Sequence, residues 1–128
     1  MAKDDVYKIL DDVNFRVNRQ IRFKNNPGWQ FQEWPKDEQG FHAGDCDSYA
    51  ITKAMELQRA GIEAKRMAIV ATRLDDGQDH AVLRVLTPDG KYMFLDNRHP
   101  RPVNVLDGQM KAVFPHNSWN IIRKKSGQ

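Results

Sequence analysis

Between two apolar runs, residues 80–86 and 91–96, stands Thr87-Pro88-Asp89-Gly90. Proline fixes φ, aspartate suits the position after it, and glycine accepts φ > 0, so these residues predict a tight turn joining two antiparallel strands. A three-residue loop, with Gly90 as its left-handed bulge residue, sets Thr87 opposite Lys91, Val82 opposite Asp96 and His80 opposite Arg98. His80 and Asp96 then share a face as diagonal neighbours, their Cα atoms ~7–8 Å apart, close enough for the side chains to hydrogen-bond. A two-residue loop would put Asp96 opposite Ala81, on the other face. The Pro-Asp-Gly sequence favours the first register.

The rest of the chain supplies helices to cover that sheet. Over residues 4–23, Val6, Leu10, Val13, Val17 and Ile21 recur every three or four positions, which gives a helix one apolar stripe. Asn25-Asn26-Pro27-Gly28 stops it. Residues 29–44 are irregular, aromatic and polar, a long loop of the kind that carries function. A second helix is expected over 46–60, with Asp45 as N-cap and Gly61 as its stop. The β-branched run at 66–72 adds a strand. The acidic Asp75-Asp76-Gly77-Gln78-Asp79 reads as a solvated hairpin. After Asn97 the chain reads as loop-rich, with 117–123 the candidate for a last strand. Helix, helix, then sheet makes an α+β fold, with helices on one face of a small antiparallel sheet. The 128 residues suit a single domain, 1–128.

Composition narrows the function. A net charge of +3 is a weak bias, and its dense part, Arg123-Lys124-Lys125, is terminal, so no nucleic acid is expected as a partner. The longest apolar run, residues 67–71, is far too short to span a membrane. A single cysteine excludes an intrachain disulfide.

That cysteine, Cys46, opens the second helix, where unpaired backbone N–H groups favour a thiolate. Gly44 before it allows a tight turn or the close approach of a substrate. The flanking Asp45 and Asp47 oppose ionisation, so a positive partner is needed, and histidine is the natural one. Cys46 alone reads rather as an inert buried residue than as a nucleophile. Joined to a strand-start histidine, His80, and a carboxylate on the next strand, Asp96, it fits one task. The thiol attacks a carbonyl, the imidazole moves the proton, and the carboxylate orients the ring. Oxyanion or substrate contacts beyond the Cys46 N–H are sought in Gln32 and Trp34 on the upstream loop and in Asn97 beside Asp96. His99 reads as surface.

Gly44-Asp45-Cys46-Asp47-Ser48-Tyr49-Ala50-Ile51-Thr52-Lys53 resembles the signature Gly-Asp-Cys-Glu-Asp-x-Ala-x-x-Lys of bacterial transglutaminase-like cysteine peptidases. His80-Ala81-Val82-Leu83 and Leu95-Asp96-Asn97 resemble that family's histidine and aspartate strands, and Trp34-Pro35 resembles its upstream tryptophan and proline. The resemblance implies a papain-like, transglutaminase-type fold and a Cys46-His80-Asp96 triad. It implies a protein or peptide substrate and no cofactor for the chemistry. Because relatives use calcium near the cysteine, it also makes Asp45 and Asp47 candidate calcium ligands, although Ser48 stands where the family has a second acid. Relatives are secreted; this chain shows no signal peptide, so a cytoplasmic place in a bacterial or phage-infected cell is expected. The implied activity is amide hydrolysis through a thioester. The alternatives are transglutaminase-type acyl transfer at the same site, and a non-catalytic module using Trp29, Phe31, Trp34 and Phe41 as a peptide-binding rim.

Overall fold

Burial explains the first helix. In the computed structural model, which describes residues 2–23, 42–44 and 46–115, with side chains over 2–19 and 49–114, helix α1 spans Lys3–Gln20. Val6, Leu10, Val13 and Val17 lie on its inner stripe, each at most 3% exposed. Asp4 and Asp5 in the first turn and Arg19 in the last complement the helix dipole. The helix stops earlier than its periodicity suggests. Residues Ile21–Phe23 form a short strand, β1, paired in parallel with β2, His42–Gly44. A β-branched residue and an aromatic one suit that extended backbone.

Helix α2 runs Cys46–Arg59 and ends as its glycine predicts. Gly61 has φ 104°. Its N–H donates to the Gln58 carbonyl at 3.0 Å, and that of Ile62 to Leu57 at 2.9 Å. This is a Schellman ending, and the accompanying apolar contact is formed by buried Leu57 and Ile62.

Strands β3 (Met67–Arg73), β4 (Asp79–Leu86), β5 (Tyr92–Leu95) and β6 (Gln109–Pro115) form one antiparallel sheet in the order β5-β4-β3-β6. The acidic segment before β4 is the expected exposed hairpin, closed by Leu74–Gln78 pairing at 2.9 Å. Strand β6 corrects the loop-rich reading of the C-terminal third. Its alternation is broken by a bulge, where the register against β3 shifts between Ala71 and Thr72, and that conceals it from a period-two search. Gly108 leads into β6 with φ 77°; a Cβ there would run into the Arg73 carbonyl. The candidate strand at 117–123 lies outside the described residues.

Both faces of the sheet are covered. The helices bury one, where Ile51, Leu57, Ile69, Leu83 and Leu10 are fully enclosed; truncating one of these to alanine costs about 2–5 kcal/mol. The other carries Val70, Val82 and Phe94 beneath Val103 and Leu106. Phe94 and Val103 exchange backbone hydrogen bonds of 2.7 and 3.0 Å, which ties this cover to β5. No described helix is long and apolar enough to cross a membrane.

Candidate active site

The turn at 87–91 decides what β4 and β5 bring together. Thr87 N–H donates to the Lys91 carbonyl at 2.8 Å, Gly90 N–H donates to Thr87 at 2.9 Å, and Gly90 has φ 81°. Leu83 therefore pairs with Leu95 and Leu86 with Tyr92, the register of the three-residue loop. One step further along, Val82 stands level with Asp96. His80 Nε2 and Asp96 Oδ1 meet at 2.7 Å, and the two residues are only 5% and 3% exposed.

Burial by itself would raise the Asp96 pKa. The hydrogen bond from His80, that ring's charge, the backbone N–H of Arg98 and the charge of His99 outweigh it, and the carboxyl is held below its ordinary value. Arg98 N–H reaches Asp96 Oδ1 at 2.9 Å. His99 N–H reaches the Asp96 carbonyl at 3.2 Å, so Asp96 opens a turn and accepts from the residues that follow it. An ionised carboxylate only accepts, so Nε2 carries the proton in this pair. Nδ1 is then the nitrogen left to act as a base.

The helices hold that turn from below. Asn18 Nδ2 donates to the carbonyls of Asp96 at 3.1 Å and His99 at 3.0 Å. Asn14 Nδ2 donates to the His99 carbonyl at 3.0 Å. Lys53 Nζ, from α2, donates to Asn14 Oδ1 at 2.8 Å. Lys53 is fully buried; desolvation brings its amine down to about 7, against the opposing pull of the Asp96 charge. Sequence reasoning gave these three residues no role, although Lys53 matches the lysine that ends the family signature. Their signal is misplaced polarity: Asn14 lies on the apolar stripe between Val13 and Val17, and Lys53 lies among Ala50, Ala54 and Leu57. His99 is half-buried rather than free on the surface. Its Nε2 bonds Asp107 Oδ2 at 2.8 Å and stands 3.9 Å from Asp96 Oδ2.

Cys46 is the first residue of α2, the helix that packs on β4 through small residues such as Ala50 and Ala54. Its side chain and that of Asp47 are outside the described side chains, while Asp45, Trp34 and Gln32 lie outside the described residues. Asn97 follows Asp96 in the turn, half-buried, and its Oδ1 is buried without a hydrogen-bond partner among the described residues. The described part of the site is thus an ionised carboxylate holding a buried imidazole, a pair equipped to accept and return a proton.

Comparison with known proteins agrees with this architecture. The sequence profile of the family described as bacterial transglutaminase-like cysteine proteinase BTLCP matches residues 1–113. Calcium-bound LapG of Legionella pneumophila superimposes with a TM-score of 0.67 at 21% identity, over 94% of this chain and 80% of its own. EGTA-treated LapG gives 0.68 at 20% identity, over 94% and 79%. A Cytophaga hutchinsonii chain gives 0.51 at 16% identity, over 84% of this chain and 36% of its own. At such identities these likenesses speak for the fold. No curated protein matches the sequence. Two helices on a four-stranded antiparallel sheet are the transglutaminase-like arrangement, and with the family profile spanning most of its length this chain belongs to the bacterial transglutaminase-like cysteine proteinases, enzymes that cut protein substrates with a thiol.

Proposed function

We propose that Cys46, His80 and Asp96 are the triad of this peptidase and that it cleaves amides through a thioester. The observation that carries the reading is the buried 2.7 Å bond between His80 Nε2 and Asp96 Oδ1. It lies on the sheet against which the helix opened by Cys46 packs.

With Nε2 committed to Asp96, Nδ1 takes the proton from the Cys46 thiol. The thiolate adds to the scissile carbonyl. As the tetrahedral adduct collapses, Nδ1–H returns its proton to the leaving amine and a thioester remains on Cys46. Water, deprotonated by the same nitrogen, hydrolyses it. Asp96 stays ionised throughout, keeps the ring in one orientation and stabilises its charged form. The Cys46 N–H, in the first turn of α2, has no acceptor within its own helix and is the backbone donor assigned to the oxyanion. Trp34, Gln32 and Asn97 are the side-chain donors assigned beside it. Replacing water by an amine at the last step would make the same site a transglutaminase.

One of the matched LapG structures is calcium-bound. Carboxylate oxygens are hard donors of the kind calcium takes. Asp45 and Asp47 would hold the ion here, with positive charge that offsets their own beside the thiol.

Cys46→Ala and His80→Ala are expected to abolish turnover of an unfolded protein substrate. Full activity in the Cys46→Ala protein would end this mechanism. Because Cys46 is the single cysteine, iodoacetamide gives a check that needs no substrate: a thiol paired with His80 alkylates faster near neutral pH than a free cysteine.

A further inference from the structure

A lysine in the core requires an explanation. Position 53 lies on the buried side of α2, and an apolar residue of similar length would fill it without desolvating an amine. Lys53 instead ends a directional chain of hydrogen bonds. An ammonium or amine hydrogen is what it offers to Asn14, so the Asn14 amide must present Oδ1 to α2, at 2.8 Å. Its Nδ2 is thereby aimed at the His99 carbonyl, at 3.0 Å. Without that donor the amide could turn over and offer oxygen to a carbonyl, which repels it. Asn18, one turn further along α1, donates to both ends of the same turn, at 3.1 Å and 3.0 Å. Lys53 also stands two turns along α2 from Cys46, within about 20° of the same side of the helix.

We propose that Lys53 is a positioning residue of the peptidase site: through Asn14, and together with Asn18, it locks the turn that begins at Asp96 to the helix that begins at Cys46. The proposal rests on the triad reading given above. Three elements meet at this lock. Lys53 comes from the cysteine helix, the two asparagines from α1, and the captured carbonyls, those of Asp96 and His99, from the turn whose first residue bonds His80. The charged and titratable groups around the amine fit the role. Asp96 faces it from the end of β5 and its charge favours the protonated amine. The Tyr49 ring lies 5.8 Å away on the same helix. The partner from α1 is neutral. Attraction to Asp96 and donation to Asn14 both favour the amine where it stands. A slack lock would let the His80–Asp96 pair drift from the thiol, and displacements of about 1 Å cost on the order of a hundredfold in such sites.

The test is the rate of Cys46 alkylation by iodoacetamide between about pH 5 and pH 9, in the full chain, with cooperative unfolding followed in parallel. Wild type should react fast, with an inflection well below that of a free thiol. In Lys53→Met the inflection should move up toward the free thiol, and the rate at about pH 6.5 should fall about tenfold or more. Asn18→Ala should move both in the same direction by about threefold. Arg16→Ala, which removes the α1–α2 ion pair to Glu56 (3.3 Å) without touching the turn, should keep the wild-type profile. Should Lys53→Met not fold, Asn18→Ala decides. Wild-type inflections in both Lys53→Met and Asn18→Ala, with a fast wild type, would overturn the positioning role and leave the triad standing. A wild type no faster than a free thiol would overturn the triad and this proposal together.

Discussion

Strand β5 is only four residues long, and the turns at its two ends are built by opposite strategies. The turn at 87–91 is held chiefly by its own residues. Thr87 Oγ1 accepts from Lys91 N–H at 3.1 Å and bonds the Asp89 carboxylate; its long-range tie, from Tyr7 to Asp89 at 3.2 Å, is exposed. The turn at 96–99 has local bonds too, from Arg98 and His99 to Asp96. Its carbonyls, however, are captured by Asn14 and Asn18, some eighty positions away in sequence, and Lys53 stands behind them. The first turn sets register and decides which residues can meet. The second sets where the meeting takes place relative to the helices. A register can be specified locally, whereas placement against another layer requires donors from that layer.

If the turn at 96–99 is the one that carries chemistry, its strongest perturbation lies at Asp96. Asn at that position keeps the size and the local turn. Its amide can offer hydrogen to Nε2, however, which forces the ring proton onto Nδ1 and removes the base. Asp96→Asn should therefore lower kcat by about 10³–10⁴ while the protein still unfolds cooperatively. Steady-state kinetics beside a denaturant melt checks this. A loss under tenfold would mean that Asp96 supports structure alone.

Next in size is a stability effect. The Lys53 amine titrates at about 7 in the folded chain against 10.5 when free. Between those values the unfolded chain binds the extra proton, so unfolding becomes less favourable as pH rises. The burden of the buried charge is fully present below about pH 7 and is lifted progressively above it. From pH 7 to pH 9 this one group should add about 2 kcal/mol to the unfolding free energy. Lys53→Met should flatten that slope, as read from urea midpoints at each pH. An unchanged slope would show that the amine is not desolvated as its burial requires.

These two turns also mark how far the sequence could be read. The hairpin was legible because everything that fixes it lies between Thr87 and Lys91, and the apolar stripes of α1 and α2 were legible because period is a local property. The lock was not. Asn14 looks like a flaw in its stripe until its partner is known, Lys53 stood out only as the last residue of a motif with no stated task, and nothing in either helix names the carbonyl of His99. For the same reason β6 escaped notice: its bulge opposes Ala71 and Thr72 of β3, a partner roughly forty residues upstream. Strand β1 escaped because three residues paired to His42–Gly44 carry too short a pattern to compete with a helical stripe already running. The proposed triad spans both regimes. The register linking His80 to Asp96 follows from turn chemistry, whereas Cys46 was joined to that pair by its place at the start of a helix and by motif resemblance, without a local rule to place it.

The smallest effect sharpens the contrast most. Thr87→Val keeps the shape of the side chain and removes Oγ1, with its bonds to Lys91 and Asp89. The loss should be about 1 kcal/mol, the usual net worth of such hydrogen bonds. The backbone bonds of the turn, Thr87 to Lys91 and Gly90 to Thr87, remain, and so does the cross-strand packing of Leu83 on Leu95. Register is therefore kept, and the Cys46 alkylation profile should be that of wild type. Asn18→Ala also removes hydrogen bonds from a turn beside β5, yet it should move that profile. Equal loss of bonding with unequal loss of function is the signature expected when one turn only connects strands and the other is fastened to the helix that begins at Cys46. A Thr87→Val protein whose thiol reactivity falls as far as that of Asn18→Ala would erase the distinction, because it would show that any loosening around β5 reaches the site.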